Sequence, residues 1–336
     1  MAPGRAGTSR RVPSGGGGGM LTRRRSRVIR HRVAQAVPTL ILVSLVSFLI
    51  LHIGPGDPAL LLAGEFPTEE SIAEIRQLYG FDRPIWEQYL SWVGQLLRGD
   101  LGLSLQSREP VMDLILNRLP NTLLIVCYAM VIAFVVGSVL GIAAAARRGS
   151  LVDRVATGVA TIADALPYFW LAMLMVSVLA LDWQLFPATG AVRFLEDPLG
   201  AIWTATLPAI ALSISGIAQI TRQLRAAMIE VLASPFVRTL RAKGLSPAAI
   251  LWRHGLKNVG VTLLTVVGLV FSGKIGGTLL TETVFAIPGT GSALIQAAIN
   301  KDYFVVQGII LMLAVLVFLV NLVVDLLYAV LDPRVE

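Results

Sequence analysis

The run Gly268-Leu-Val-Phe-Ser-Gly273-Lys274-Ile275 carries most of a phosphate-binding loop, Gly-x4-Gly-Lys. Such a loop holds phosphates on backbone amides and needs a serine or threonine hydroxyl after the lysine to bind magnesium. Ile275 stands where that hydroxyl belongs, no strand precedes the run, and the segment lies inside an apolar stretch. The sequence therefore gives no nucleotide site on this chain, and Lys274 must be explained otherwise. A lysine near the middle of a membrane costs about 2.5–3.5 kcal/mol on insertion scales. It should face a water-filled pathway, pair with an acid such as Asp164, or lie against a partner subunit. Asp164 stands three residues before Pro167, which removes a backbone hydrogen bond and should bend its helix. An acid beside a bend either shapes a cavity or makes a helix contact near the cytoplasmic side. Asp164, Pro167 and Lys274 are the candidate pathway residues.

No nucleophile–base pair, paired acid–base carboxylates or metal cluster is placed to react, which argues against an enzyme. His31, His52 and His254 are scattered, and Cys127 is the single cysteine. No disulfide within the chain and no zinc pattern is available, and no cofactor is expected here.

The other informative stretch runs from Ser234 to Ile250. It is a basic, polar island between apolar runs and reads as helix, glycine stop, helix. Ser234 can cap the first helix and Pro235 suits its first position. Gly244 can take the left-handed conformation that ends it, and Ser246-Pro247 repeats the start signal. Phe236, Val237 and Leu240 share one face, leaving Arg238, Arg241 and Lys243 in water. The segment is either a docking surface for something in the cytoplasm or a loop that folds back on itself.

These residues must be positioned by membrane helices. The chain has 336 residues, 55% hydrophobic and only 15% charged, with mean hydropathy +0.73; soluble domains carry roughly a quarter charged residues. Six apolar blocks can each cross a bilayer: Val33–Ile53, Thr122–Ala146, Val155–Leu181, Ile202–Ile220, Val259–Thr281 and Val305–Val330. A span needs about 20 helical residues, and these blocks lack the alternation a barrel requires. Gly137-x3-Gly141 and Gly273-x3-Gly277 allow close helix approach, and Asp325 is a structural residue near the inner surface.

The net charge of +7 invites a nucleic-acid reading, but its placement speaks for lipid. Arg23 to Arg32 precede the first block, Arg147, Arg148 and Arg154 separate the second from the third, and Arg222 to Lys257 separate the fourth from the fifth. The alternate loops are acidic. This positive-inside pattern places both termini in the cytoplasm. Residues 1–20 have disordered-tail composition, and Met20 is the expected natural start. Residues 21–118 comprise the first span and an external segment, and 119–331 the main transmembrane domain, with its cytoplasmic loop at 234–258. Within the external segment, helices are expected over Thr68–Leu78 and Ile85–Leu97. Trp86, Tyr89 and Trp92 suit either a membrane interface or a packed hairpin. Asn121 is expected to cap the second span.

Arg238-Thr239-Leu240-Arg241-Ala242-Lys243-Gly244-Leu245-Ser246, with Arg253-His254 and Lys257-Asn258 beyond it, resembles the cytoplasmic coupling loop of ABC importer permeases. More narrowly, the chain resembles the B-type permease subunit of dipeptide and oligopeptide importers, a family that also includes nickel importers. Supporting segments include Gly54-Pro-Gly-Asp-Pro58, Gly80-Phe-Asp-Arg-Pro84, Gly99-Asp-Leu-Gly102, Leu166-Pro-Tyr-Phe-Trp170, Glu282-Thr-Val-Phe-Ala-Ile-Pro-Gly289 and Asn321 through Arg334. The resemblance covers Leu21 to the C-terminus. It implies an all-helical, six-span permease of the bacterial inner membrane, pairing with a second homologous permease subunit. It also implies two cytoplasmic ATPase subunits that bind ATP and magnesium, and an external substrate-binding protein. Arg238 to Pro247 would then dock on an ATPase. Three departures stand out: Thr262 where the family often has proline, Leu240 where alanine is common, and Lys274.

The resulting expectation is an importer permease for short peptides, with nickel or another small solute as the alternative. A self-sufficient secondary transporter is the rival of another class; it would need ion-coupling residues near the midplane. Lys274→Met is expected to change transport and leave assembly intact, and unchanged uptake by that variant would remove the pathway role.

Overall fold

The computed structural model describes residues 34–49, 59–60, 63 and 67–331. Its regular elements are helices: α1 Ala34–Leu49, α2 Glu69–Tyr79, α3 Ile85–Leu96, α4 Val111–Ala146, α5 Leu151–Ala165 and α6 Tyr168–Met175. There follow α7 Pro198–Ala233, α8 Pro235–Ala242, α9 Pro247–Val284, α10 Thr290–Ile299 and α11 Tyr303–Leu331. Four of these, α4, α7, α9 and α11, are long and apolar enough to cross a membrane unbroken. α1 is the described part of the first expected span; Val33 and residues 50–53, like the 1–20 tail and Gly54–Pro58, lie outside the described residues.

The third expected span is divided between α5 and α6, which meet at a bend of 94°. The cause is local. Pro167 disfavours helical backbone at the residue before it, and Leu166 is extended (φ −86, ψ 132). α6 restarts behind Pro167 and runs on as a π-helical turn, Val176–Asp182.

The long helices outrun their apolar blocks. α4 starts at Val111 and passes through Pro120, so Asn121 is not the cap expected of it. Instead the Asn121 side-chain amide donates to the Pro288 carbonyl at 3.0 Å. Burial of Val111 and Ile115 against Leu101 and Ile309 holds this added length. α7 opens on Asp197, whose carboxylate accepts from the Gly200 amide at 2.9 Å, and continues through Pro208 to Ala233.

α7 is the central element. α4 lies along it through Gly137 and Gly141: a methyl built on Gly137 would stand 2.9 Å from Ile220 Cβ, and one on Gly141 3.0 Å from the Thr221 carbonyl. The second glycine pair works differently from expectation. Gly277 meets Leu212, but Gly273 faces open space, and Gly216 on α7 is the residue that lets α9 approach.

In the external segment α2 begins with a reciprocal cap, Thr68 accepting from the Ser71 amide at 3.2 Å while Ser71 Oγ accepts from the Thr68 amide at 3.0 Å. Two of the α3 aromatics pack on the first expected span, and not in a hairpin with α2. Tyr89 and Trp92 pack on Phe48 of α1, with ring centroids 5.4 and 5.7 Å away, and Tyr89 shares a 2.8 Å hydrogen bond with Ser44. Trp86 alone stays exposed.

Candidate functional site

Three constellations carry polar or charged groups where a membrane helix bundle would not place them without cause. The first is the turn between α8 and α9. α7 ends at Ala233, and Ser234 is extended (ψ 152), so α8 leaves at an angle. Ser234 makes no side-chain cap, contrary to expectation; Pro235 alone supplies the helix start, since it needs no amide partner. Gly244 has φ +80. Its amide donates to the Arg241 carbonyl at 2.9 Å and the Leu245 amide to the Leu240 carbonyl at 3.2 Å, the paired bonds of a Schellman stop. Ser246 then caps the next helix through the Ala249 amide at 3.3 Å.

Within this turn Val237 and Ile250 are fully buried against the body, whereas Arg238, Arg241, Ala242, Lys243, Ser246 and Pro247 are exposed. Leu240 and Leu245 are half-buried and Thr239 is exposed, its hydroxyl donating to the Pro235 carbonyl at 3.2 Å. Phe236 was expected on the buried face, but it is exposed beside His254 (ring centroids 6.0 Å), and Trp252 is exposed with it. The loop thus presents two aromatics and three cations outward. The sequence pattern could not give Trp252 this role because a π-helical turn, Ile250–Gly255, shifts the faces of α9 there.

The second constellation gathers the candidate pathway residues. Lys274 is buried (6% exposed), and its ammonium donates to Ser215 on α7. Of the three placements open to Lys274, direct pairing with Asp164 is not made. Asp164 accepts from Arg222 of α7 at 2.7 Å, and Arg222 also donates to the Ala160 carbonyl at 3.3 Å. The Arg222 and Asp164 side chains are 35% and 34% exposed. Pro167 stands at the break just beyond Asp164, and Tyr168 after it approaches Gly277 of α9. Asp164, Pro167 and Lys274 are therefore brought around one face of α7. A second pair lies nearer the α8 turn: Arg225 holds Asp153 in bidentate fashion at 2.5 and 2.8 Å, and the Gly149 amide adds a bond to Asp153 at 2.9 Å. Both arginines read as loop residues in the sequence; they are arms of α7 that grip α5.

The third constellation was missed. Glu282, near the end of α9, is fully buried. It accepts from the Thr122 hydroxyl at 2.8 Å and from the Ser292 amide at 2.8 Å. Thr122 in turn accepts from the Thr290 amide at 2.9 Å. Gly289 and Gly291 leave the space this carboxylate fills: a methyl on Gly289 would stand 2.3 Å from its Oε2. The site ties α4, α9 and α10 together at the end of α9 remote from the α8 turn. The run Glu282–Gly289 was noticed only as a resemblance; its signal was an acid, a Pro-Gly turn and a serine ten residues on.

The chain is similar to known proteins. Residues 137–336 match the family model described as binding-protein-dependent transport system inner membrane component. Residues 26–126 match the N-terminal model for a membrane component of such systems. The dipeptide transport system permease protein DppB of Escherichia coli (strain K12) is 38% identical over 332 residues, covering 92% of this chain and 98% of its own. A Brucella abortus (strain 2308) protein named for a peptide transport system permease is 39% identical over 309 residues, with the same shares covered. Among solved structures, an inward-facing form of the MetNI methionine ABC transporter aligns with TM-score 0.56 at 19% identity, covering 67% of this chain and 99% of that one; at this identity the likeness speaks for the fold alone.

Proposed function

We propose that this chain, which belongs to the family of binding-protein-dependent transport system inner membrane components, is the permease subunit through which an ATP-driven importer moves short peptides. The observation that carries the peptide reading is sequence identity of 38–39% across 92% of the chain with permeases named for peptide or dipeptide transport. The chain is a multi-pass inner-membrane transport component, not an enzyme, and works with an ATPase and a substrate-binding protein. In the finer reading, one copy pairs with a second homologous permease subunit, two cytoplasmic ATPase subunits dock beneath them, and both termini are cytoplasmic.

Coupling is assigned to Arg238, Thr239, Leu240, Arg241, Ala242, Lys243, Gly244, Leu245, Ser246 and Pro247, flanked by the exposed Phe236 and Trp252. The route for force is continuous. Motion of an ATPase pushes α8, which is seated on the body by Val237; α7 follows, and Arg225–Asp153 and Arg222–Asp164 pass the movement to α5 beside the bend. Asp164, Pro167 and Lys274 are the proposed pathway group. ATP and magnesium belong to the partner subunits. In keeping with this, Gly268–Ile275 is a stretch of continuous helix in α9, whose amides are committed to the helix and not free to cradle phosphate.

The test is uptake in proteoliposomes containing this permease, its partner permease, the ATPases and the binding protein. Labelled dipeptide should accumulate only with ATP inside and the binding protein outside. Uptake by this chain without ATPases would establish a secondary transporter instead. ATP-dependent uptake of nickel with none of peptide would move the assignment to the alternative cargo.

A further inference from the structure

We infer that Lys274 and Arg222 form a carboxylate-recognition site in the permease, selecting cargo with a free C-terminal carboxylate. This inference rests on the peptide reading above and names the chemical group read within the pathway.

The argument begins with charge. Two cations are held on α7: Arg222 is carried by it and Lys274 of α9 bonds to its Ser215. Arg222 and Asp164 neutralise each other in direct contact at 2.7 Å. Among the described residues Lys274 makes no ion pair and donates to the Ser215 hydroxyl, so its positive charge is left without a carboxylate in contact. Placing that charge among membrane helices is unfavourable by about 2.5–3.5 kcal/mol. A helix contact alone has no use for it, because the α7–α9 approach is already provided by Gly216 and by Gly277 against Leu212.

Geometry makes the excess usable. Ser215 and Arg222 are seven residues apart on α7, about 10 Å along the axis at 1.5 Å per residue. Arg222 and Asp164 are about a third exposed and Ser215 is half-buried, so part of the cluster is accessible from outside the packed helices. It also sits where the chain is broken: Leu166-Pro167 interrupts α5–α6 directly beyond Asp164, and a broken helix is where backbone and charge can line a cavity. A guanidinium and an ammonium held about 10 Å apart along α7 can each take a carboxylate in turn. The terminal carboxylate is the one anionic group that every unmodified peptide carries. As cargo passes, its carboxylate can replace Asp164 on Arg222 or Ser215 on Lys274.

The test uses the complete importer in vesicles and two alanine tripeptides identical except at the C-terminus, one a free acid and one an amide. With neutral side chains, the terminus is the sole carboxylate. Affinity of the binding protein for each peptide is measured separately and its preference divided out. A lost charge-assisted hydrogen bond corresponds to roughly tenfold discrimination, so the parent should favour the free acid by about that factor beyond the binding protein. Lys274→Met and Lys274→Gln should bring the excess toward one, Gln keeping a hydrogen bond to Ser215 while removing charge. Lys274→Arg should preserve it. An excess that is absent in the parent, or that survives in Lys274→Gln, overturns the inference. A parent that imports neither these tripeptides nor a dipeptide, while importing a non-peptide solute with ATP, overturns the peptide reading beneath it.

Discussion

Glu282→Ala is expected to remove most of the folded permease from the membrane. The carboxylate is fully buried and accepts from the Thr122 hydroxyl and the Ser292 amide. Alanine leaves the Ser292 amide without its acceptor and the Thr122 hydroxyl with the Thr290 hydroxyl, 3.0 Å away, to turn to; it also leaves space where Gly289 and Gly291 were shaped around the acid. An unsatisfied buried donor costs about 1–3 kcal/mol and truncating a large buried side chain about 2–5 kcal/mol, against a typical total stability of about 5–15 kcal/mol. Glu282→Gln should lose less, since its amide oxygen still accepts one of the two bonds. Gly289→Ala should resemble Glu282→Ala, because its methyl would stand 2.3 Å from Oε2 and expel the carboxylate. Thermal unfolding in detergent and the yield of membrane-inserted protein give the measurement. A Glu282→Ala protein that melts with the parent would show that this cluster holds nothing together.

Glu282 also marks the boundary of what the sequence made legible. The spans could be read because a bilayer imposes length and apolarity on each crossing. Their ends could not, because hydropathy reports the membrane and not the helix. α7 continues through Arg222, Arg225 and Glu230 well past its apolar block, and α4 starts eleven residues before its own. The bend at Pro167 was legible from one residue, as its cause is covalent. The Gly244 stop was legible for the same reason.

Partners across the fold were not. Asp164 was one of the partners open to Lys274, yet Arg222, fifty-eight residues from Asp164 in sequence, reaches it because it is carried on the helix against which α5 packs. Ser234 was read as a cap from its type, yet its side chain makes no capping bond although its backbone (φ −66, ψ 152) matches that of Ser246, which does cap; residue type and backbone together do not decide it. The Glu282 site depends on the Pro288-Gly289 turn folding α10 back over α9, so that the Ser292 amide arrives at an acid ten residues earlier. No local pattern encodes that arrival.

Val237→Asp is expected to cut uptake by an order of magnitude or more while the protein still reaches the membrane. α8 departs from α7 at the extended residue Ser234, so no continuous helix makes the joint stiff. What fixes α8 to the body is its one fully buried side chain, Val237, with Ile250 seating the far side of the Gly244 turn. Burying a carboxylate at position 237 without a partner is unfavourable by several kcal/mol, and the variant also forfeits the burial of the valine, about 1.5–3 kcal/mol. α8 should therefore lift away, and a push from the ATPase should move the loop and not α7. The spans do not depend on Val237, so insertion should survive.

Gly244→Asn is the contrasting variant. Asparagine tolerates the left-handed conformation and nothing lies within 4 Å of the position, so uptake should stay close to the parent. Gly244→Val, β-branched at φ +80, should fall between. ATP-driven uptake measured beside ATP hydrolysis in the same vesicles separates the outcomes: Val237→Asp should hydrolyse ATP without moving cargo. Parental uptake by Val237→Asp would mean that force reaches the spans by some route other than α8.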